Sequence, residues 1–115
     1  MSDDCIFCKI VAGDIPSNKV HEDDEVVAFH DISPKAPTHI LVIPRRHIAS
    51  LDETSEGDAG LLGRMMLVSR KLARDQGLAS RGYRVVTNCG DEGGQAVQHI
   101  HLHLLGGRRM SWPPG

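Results

Sequence analysis

Apolar and polar positions alternate with different periods along this chain, and each period predicts an element. "KVHED" (19–23) and "EVVAFHD" (25–31) are rich in valine and end in turn-forming acids, which predicts a hairpin around Glu22, Asp23 and Asp24. "THILVIP" (38–44) is a continuous apolar run, as in a strand covered on both faces. Leu61, Met65, Val68 and Leu72 fall on one helical face, predicting a long helix from about Ser55 to Gln76. Asp58 near its start and Arg70, Lys71 and Arg74 near its end suit the helix dipole, and Gly77 is a natural stop. "CIFCKIVA" (5–12) predicts a short helix ending at Gly13, and "SPKAP" (33–37) a proline-punctuated loop. "YRVVTN" (83–88) and "HIHLHLL" (99–105) predict two further strands, joined by the glycine-rich "CGDEGGQAVQ" (89–98). Most strand pairing should be antiparallel, because few residues separate the strands. The predicted class is α+β.

The 115 residues suit one domain spanning 1–115. The net charge of −2 gives no support for a general nucleic-acid partner or an anionic-membrane partner. No apolar run approaches the roughly 18 residues of a membrane span. The opening "MSDDCIFCKI" is acidic where a signal peptide would be basic, so a cytoplasmic location is expected. Cys5, Cys8 and Cys89 are odd in number, which argues against a disulfide framework. Cys5-x-x-Cys8 therefore suggests metal, redox or packing.

Chemistry concentrates in "QHIHLHLLGG" (98–107), where His99, His101 and His103 occupy alternate positions. In a strand these three point one way while Ile100, Leu102 and Leu104 point the other. Spacing alone admits a solvated face, a metal site, or catalysis with one imidazole as nucleophile.

The pattern His-φ-His-φ-His-φ-φ, with φ apolar, resembles the signature of the histidine triad superfamily. "CIFCKI", "AFHDISPKAPTHILVIPRRHI" and "GYRVVTNCGDEGGQAVQHIHLHLLGGRRMSWPPG" resemble its Hint branch, essentially end to end. The resemblance implies a sheet of about five antiparallel strands with one short N-terminal and one long helix, and a homodimer joining two sheets. It implies hydrolysis of purine nucleoside phosphoramidates through a nucleotidyl-histidine, with no cofactor required for the chemistry. His101 matches the nucleophile, His103 the phosphate-side assistant, and Asn88 a residue near the scissile bond. Gly94 and Gln95 match the phosphate loop. Asp31 matches the acceptor of the ribose hydroxyls, flanked by His30 and Ile32. Ile6, Phe7, Ile10 and Phe29 match the apolar slot for the purine nucleotide's base. Trp112 matches a tail that approaches the partner subunit's site.

Cys5, Cys8, His47 and His99 match a zinc ligand set found in part of the superfamily, which would make His99 a brace and the zinc structural. Ala96 departs from the serine common among Hint proteins, which implies weaker proton delivery to the leaving group. His21 is expected at the hairpin surface and His39 in a structural role. A dinucleoside polyphosphate hydrolase is the alternative enzyme, and a purine nucleotide-binding or interaction protein with vestigial catalysis the alternative without turnover.

Overall fold

The computed structural model describes residues 4–115; the first three positions of the acidic opening lie outside them. The elements in chain order are α1 (Ile6–Ala12), β1 (Lys19–Glu22), β2 (Val26–His30), β3 (Thr38–Pro44), α2 (Ala59–Asp75), β4 (Arg84–Val86) and β5 (Leu102–Gly106). The five strands form one sheet in the order β1-β2-β3-β5-β4, with every adjacent pair antiparallel. The fold is the α+β arrangement expected, a five-stranded antiparallel sheet with one short and one long helix.

Both faces of the sheet are covered, which explains the unbroken apolar run of β3. Val26, Ala28, Ile40, Val42, Leu102 and Leu104 pack against Met65, Val68, Leu72 and Ala73 of α2. The intervening Val27, Phe29, Leu41 and Ile43 face the other way, against Cys5, Phe7, Cys8 and Ile10 around α1. Period-2 alternation thus divides each central strand between two cores.

The punctuation residues act largely as expected. Asp23 Oδ1 accepts the Glu25 and Val26 N–H groups at 2.8 Å and closes the β1–β2 hairpin. The long helix starts later than predicted. A 3-10 turn occupies Glu56–Asp58, with the Asp58 carboxylate accepting the Ser55 N–H at 2.9 Å, before α2 begins at Ala59. It ends at Asp75, and Gly77, two residues beyond, has a φ of 74° in the left-handed region that glycine favours.

Two strands are shorter than the sequence suggests. β4 stops at Val86 because the next residue leaves the ladder, its Thr87 hydroxyl donating to the His101 carbonyl at 2.8 Å. β5 begins at Leu102, so His99 and His101 precede the strand. Register explains this. Val42 pairs with Leu102, so Ile100 would lie opposite Pro44, which has no N–H to continue the ladder. The chain there runs beside residues 45–50, with the Ile100 N–H donating to the Ile48 carbonyl at 2.7 Å.

Leu72 is 2% exposed and joins α2 to the sheet. Leu72→Ala should destabilise the chain by roughly 2–5 kcal/mol, read from urea unfolding. A loss under about 1 kcal/mol would mean that α2 is not the second wall of this core.

Candidate active site

The histidines remain on the α1 side of the sheet although only His103 lies in β5. Phe7 meets the His99 ring edge-on at 5.8 Å between centroids and the His101 ring at 5.1 Å. The His101 and His103 rings are 4.9 Å apart. His101 Nδ1 lies 2.7 Å from the His99 carbonyl oxygen. A carbonyl only accepts, so Nδ1 carries the proton and Nε2 keeps its lone pair. Burial lowers the His101 pKa from its ordinary value, against the opposing effect of this hydrogen bond.

His103 belongs to a second chain of hydrogen bonds. The Lys35 backbone N–H donates to His39 Nδ1 at 3.0 Å. A backbone amide only donates, so neutral His39 must carry its proton on Nε2. That proton faces His103 Nδ1 at 2.9 Å, which leaves the His103 proton on Nε2. Burial, reinforced by the positive charges His101 and His39 would carry if protonated, brings the His103 pKa down to about 4. His39 is itself lowered, mainly by burial, with Asp31 opposing. The structural role expected of His39 extends to holding His103 through this bond. His39 faces His103 because Leu41 pairs with His103 across β3 and β5, a register that the sequence does not display.

Asp31, His39 and His103 present atoms close enough to share an ion. The tautomer argues otherwise. An ion on His39 Nε2 would drive its proton onto Nδ1, against the Lys35 N–H donor. His39 and His103 form a proton-bearing hydrogen-bond chain, with the Asp31 carboxylate 3.4 Å from His39 Nε2.

Cys5, Cys8, His47 and His99 have the opposite character. His99 Nδ1 lies 3.3 Å from Cys5 Sγ, 3.6 Å from Cys8 Sγ and 3.3 Å from His47 Nδ1. Cys8 Sγ and His47 Nδ1 are 3.3 Å apart. His99 Nε2 donates to the Pro44 carbonyl at 2.8 Å, so its Nδ1 lone pair faces the cluster. Tetrahedral zinc with N and S ligands needs edges of roughly 3.3–3.8 Å. The donor set, its spacing and the His99 tautomer fit that ion, and the cluster allows a zinc site.

The residues expected at a base slot line one cavity of about 250 Å³: Ile6, Phe7, Ile10, Phe29, His30, Asp31 and Ile32. Ile15, Pro16, Ser17, Leu41 and Val97 complete its wall, a contribution that only folding reveals. Ile32 is 99% exposed and forms the rim. Asp31 Oδ1 accepts the Ser33 N–H at 2.8 Å. A neighbouring cavity of about 320 Å³ is bordered by Asp31, Lys35, His39, Val86, Asn88 and His103.

The glycine-rich loop is organised more tightly than expected. A Cβ on Gly93 would stand 2.3 Å from the Cys89 carbonyl oxygen, so this close turn requires glycine. The Gly94 and Gln95 N–H groups donate to the Asp91 and Gly90 carbonyls, at 3.0 and 3.1 Å, within the loop. The Gln95 amide donates to the Ala49 and Val97 carbonyls at 2.7 and 3.0 Å and accepts the Gly90 N–H at 3.0 Å. Gln95 therefore anchors the loop that Gly94 shares. Asn88 Nδ2 donates to the Gly93 carbonyl at 2.7 Å. Trp112, expected at a partner's site, is 81% exposed on this chain.

A model of the HIT domain matches residues 12–110. The chain belongs to the HIT domain family. It is 50% identical to the purine nucleoside phosphoramidase of Escherichia coli K12 over 110 residues, covering 96% of this chain and 92% of that one. It is 47% identical to the 14 kDa zinc-binding protein of Brassica juncea over 114 residues, covering 97% and 100%. The crystal structure of a HIT family hydrolase from Legionella pneumophila superposes with a TM-score of 0.96 at 52% identity, covering 97% of this chain and 100% of the other. The sheet that carries His103 is thus shared with a solved relative.

The hydrogen bonds dictate the neutral tautomers, and nitrogen-15 NMR at pH 7 should find the proton on Nδ1 of His101 and on Nε2 of His39 and His103. The His103 resonances should titrate near pH 4, below the ordinary 6.5. Because the folded value lies below the unfolded one, the stability contributed by neutral His103 is present above pH 6.5 and drains as pH falls towards 4. An imidazolium signal from His103 at pH 7 would contradict this network.

Proposed function

We propose that this HIT protein hydrolyses purine nucleoside phosphoramidates, with His101 as nucleophile. The observation carrying this reading is the 2.7 Å contact between His101 Nδ1 and the His99 carbonyl, which leaves Nε2 with a free lone pair. A buried, neutral imidazole so oriented is a nucleophile at neutral pH. The identity to the phosphoramidase supports the substrate class.

In this mechanism the base enters the slot between Ile6, Phe7, Ile10 and Phe29. Asp31 accepts the ribose hydroxyls, with His30 and Ile32 beside it. His101 Nε2 attacks the phosphorus; its N–P bond forms as the bond to the departing amine breaks. His103 directs its Nε2–H at the phosphate and the leaving nitrogen, beside Asn88. Water then attacks the nucleotidyl-histidine and restores His101. The leaving nitrogen takes its proton by way of His103 as the P–N bond breaks; the water then gives its oxygen to phosphorus and returns one hydrogen to His103, so atoms and protons balance. Gly94 and Gln95 contribute by holding the loop in place.

Cys5, Cys8, His47 and His99 would hold a structural zinc. When bound it supplies a cross-link rather than a reaction step, tying α1 to the segment that presents His101. The zinc-binding relative supports this assignment. A homodimer completes the proposal. Met66 and Leu67 stand half-exposed on α2, and β4 is an open sheet edge. Trp112 would then reach the partner's site. The working unit is one domain over 1–115 in a reducing cytoplasm that keeps Cys5 and Cys8 free of disulfides and available as thiolate ligands.

Adenosine 5′-phosphoramidate and diadenosine tetraphosphate separate this activity from polyphosphate hydrolysis. Wild type should release AMP from the former in preference, and His101→Ala should lose at least about 10³-fold in kcat. No AMP from the phosphoramidate, or equal activity in the mutant, would end the proposal. Metal analysis of protein purified without chelator should give one zinc per chain, with Cys8→Ser losing both zinc and thermal stability. Native protein without zinc would remove the metal assignment.

A further inference from the structure

Four arginines stand together outside the site described above. Arg81, Arg84, Arg108 and Arg109 line a groove of about 230 Å³ with Tyr83 and Met110. Among the described residues, none of the four forms an ion pair with a carboxylate. This concentration of positive charge occurs on a chain whose net charge is −2. Two of the arginines are held in position. Arg84 Nη2 donates to the Ser111 carbonyl at 2.8 Å, and Arg108 Nε donates to the Lys35 carbonyl at 3.0 Å. Neutral carbonyls orient these guanidinium groups without cancelling their charge.

Topology places the groove on the reactive side of the sheet. Val85 packs with the α2 core, so Arg84 and Val86 face the opposite way. Val86 pairs with His103 and Arg84 with Leu105. Arg84 is therefore roughly 6.5–7 Å farther along the strand than the His103 level. The base slot lies at β2 and β3, His103 on β5, and the arginines at the β4 end of the order β1-β2-β3-β5-β4. The Arg108–Lys35 contact joins the groove to the cavity that His103 borders.

Resting on the phosphoramidase reading, we infer that this groove receives the leaving group and selects amines that carry a carboxylate or phosphate. In displacement at phosphorus the departing atom lies opposite the attacking one. A nucleotide with its base in the slot at β2 and β3 and its phosphorus at His101 extends along the sheet towards β5, and the groove lies on the far side of that phosphorus, beside β4. An anion there meets several guanidinium groups, which match carboxylate and phosphate geometry. A neutral amine finds no such partner.

The test compares adenosine 5′-phosphoramidates of β-alanine and n-propylamine, leaving groups of equal chain length that differ by a carboxylate. Wild type should favour the β-alanine compound by about tenfold in kcat/KM at low salt, with the ratio approaching one above about 0.5 M NaCl. Arg109→Gln should reduce the ratio and Arg109→Glu should invert it. Equal kcat/KM values in wild type, or Arg109 variants that slow both substrates alike, would overturn the inference. Calorimetric binding of both compounds to His101→Ala separates the two readings. Tighter binding of the β-alanine compound with no turnover by wild type would keep the groove and discard the phosphoramidase, whereas equal binding would discard the groove.

Discussion

The hydrogen bond between His101 Nδ1 and the His99 carbonyl is the contact on which the rest of the site depends. It joins two consecutive triad members through the backbone. The His99 ring faces the cysteines while its carbonyl sets the neighbouring tautomer, so one residue links the Cys/His cluster to the protonation of His101. The Lys35 amide does the converse for His39, and through it for His103. An acceptor fixes one chain of imidazoles and a donor fixes the other. That difference gives two rings only 4.9 Å apart unlike protonation patterns.

Pro44 shows how an interruption in the sheet becomes useful. Its missing N–H ends the β3–β5 ladder, and its carbonyl receives the His99 Nε2 proton. The histidine segment consequently leaves regular pairing just before β5, where its rings meet α1 and the 45–50 segment. A fully paired strand would have committed those backbone groups to the ladder.

Much of this was legible in the sequence, for identifiable reasons. The two-sided apolar run of β3, the helical stripe of α2 and the turn at Asp23 are local patterns with local causes. The base-slot residues and the Cys/His cluster came from resemblance, and folding brings each set together. What stayed hidden depends on register and on hydrogen-bond direction. His39 looks like any residue opening a buried strand until the β3–β5 pairing sets it beside His103. Gln95 looks like a free amide until the Ala49 carbonyl, 46 positions earlier in the chain, accepts its proton. The late start of β5 follows from Pro44 lying opposite Ile100, again a matter of pairing across the sheet.

The brevity of α1 has a consequence for how it is held. Its seven residues are too few to hold a helix in water, and its first turn is capped by a thiol, Cys5 Sγ accepting the Cys8 N–H at 3.3 Å. The helix persists because Phe7, Cys8 and Ile10 are buried against Phe29, Leu41 and Ile43 of the sheet. Its shape is borrowed from the strands beneath it, so the cavity it lines exists only where the sheet has already formed.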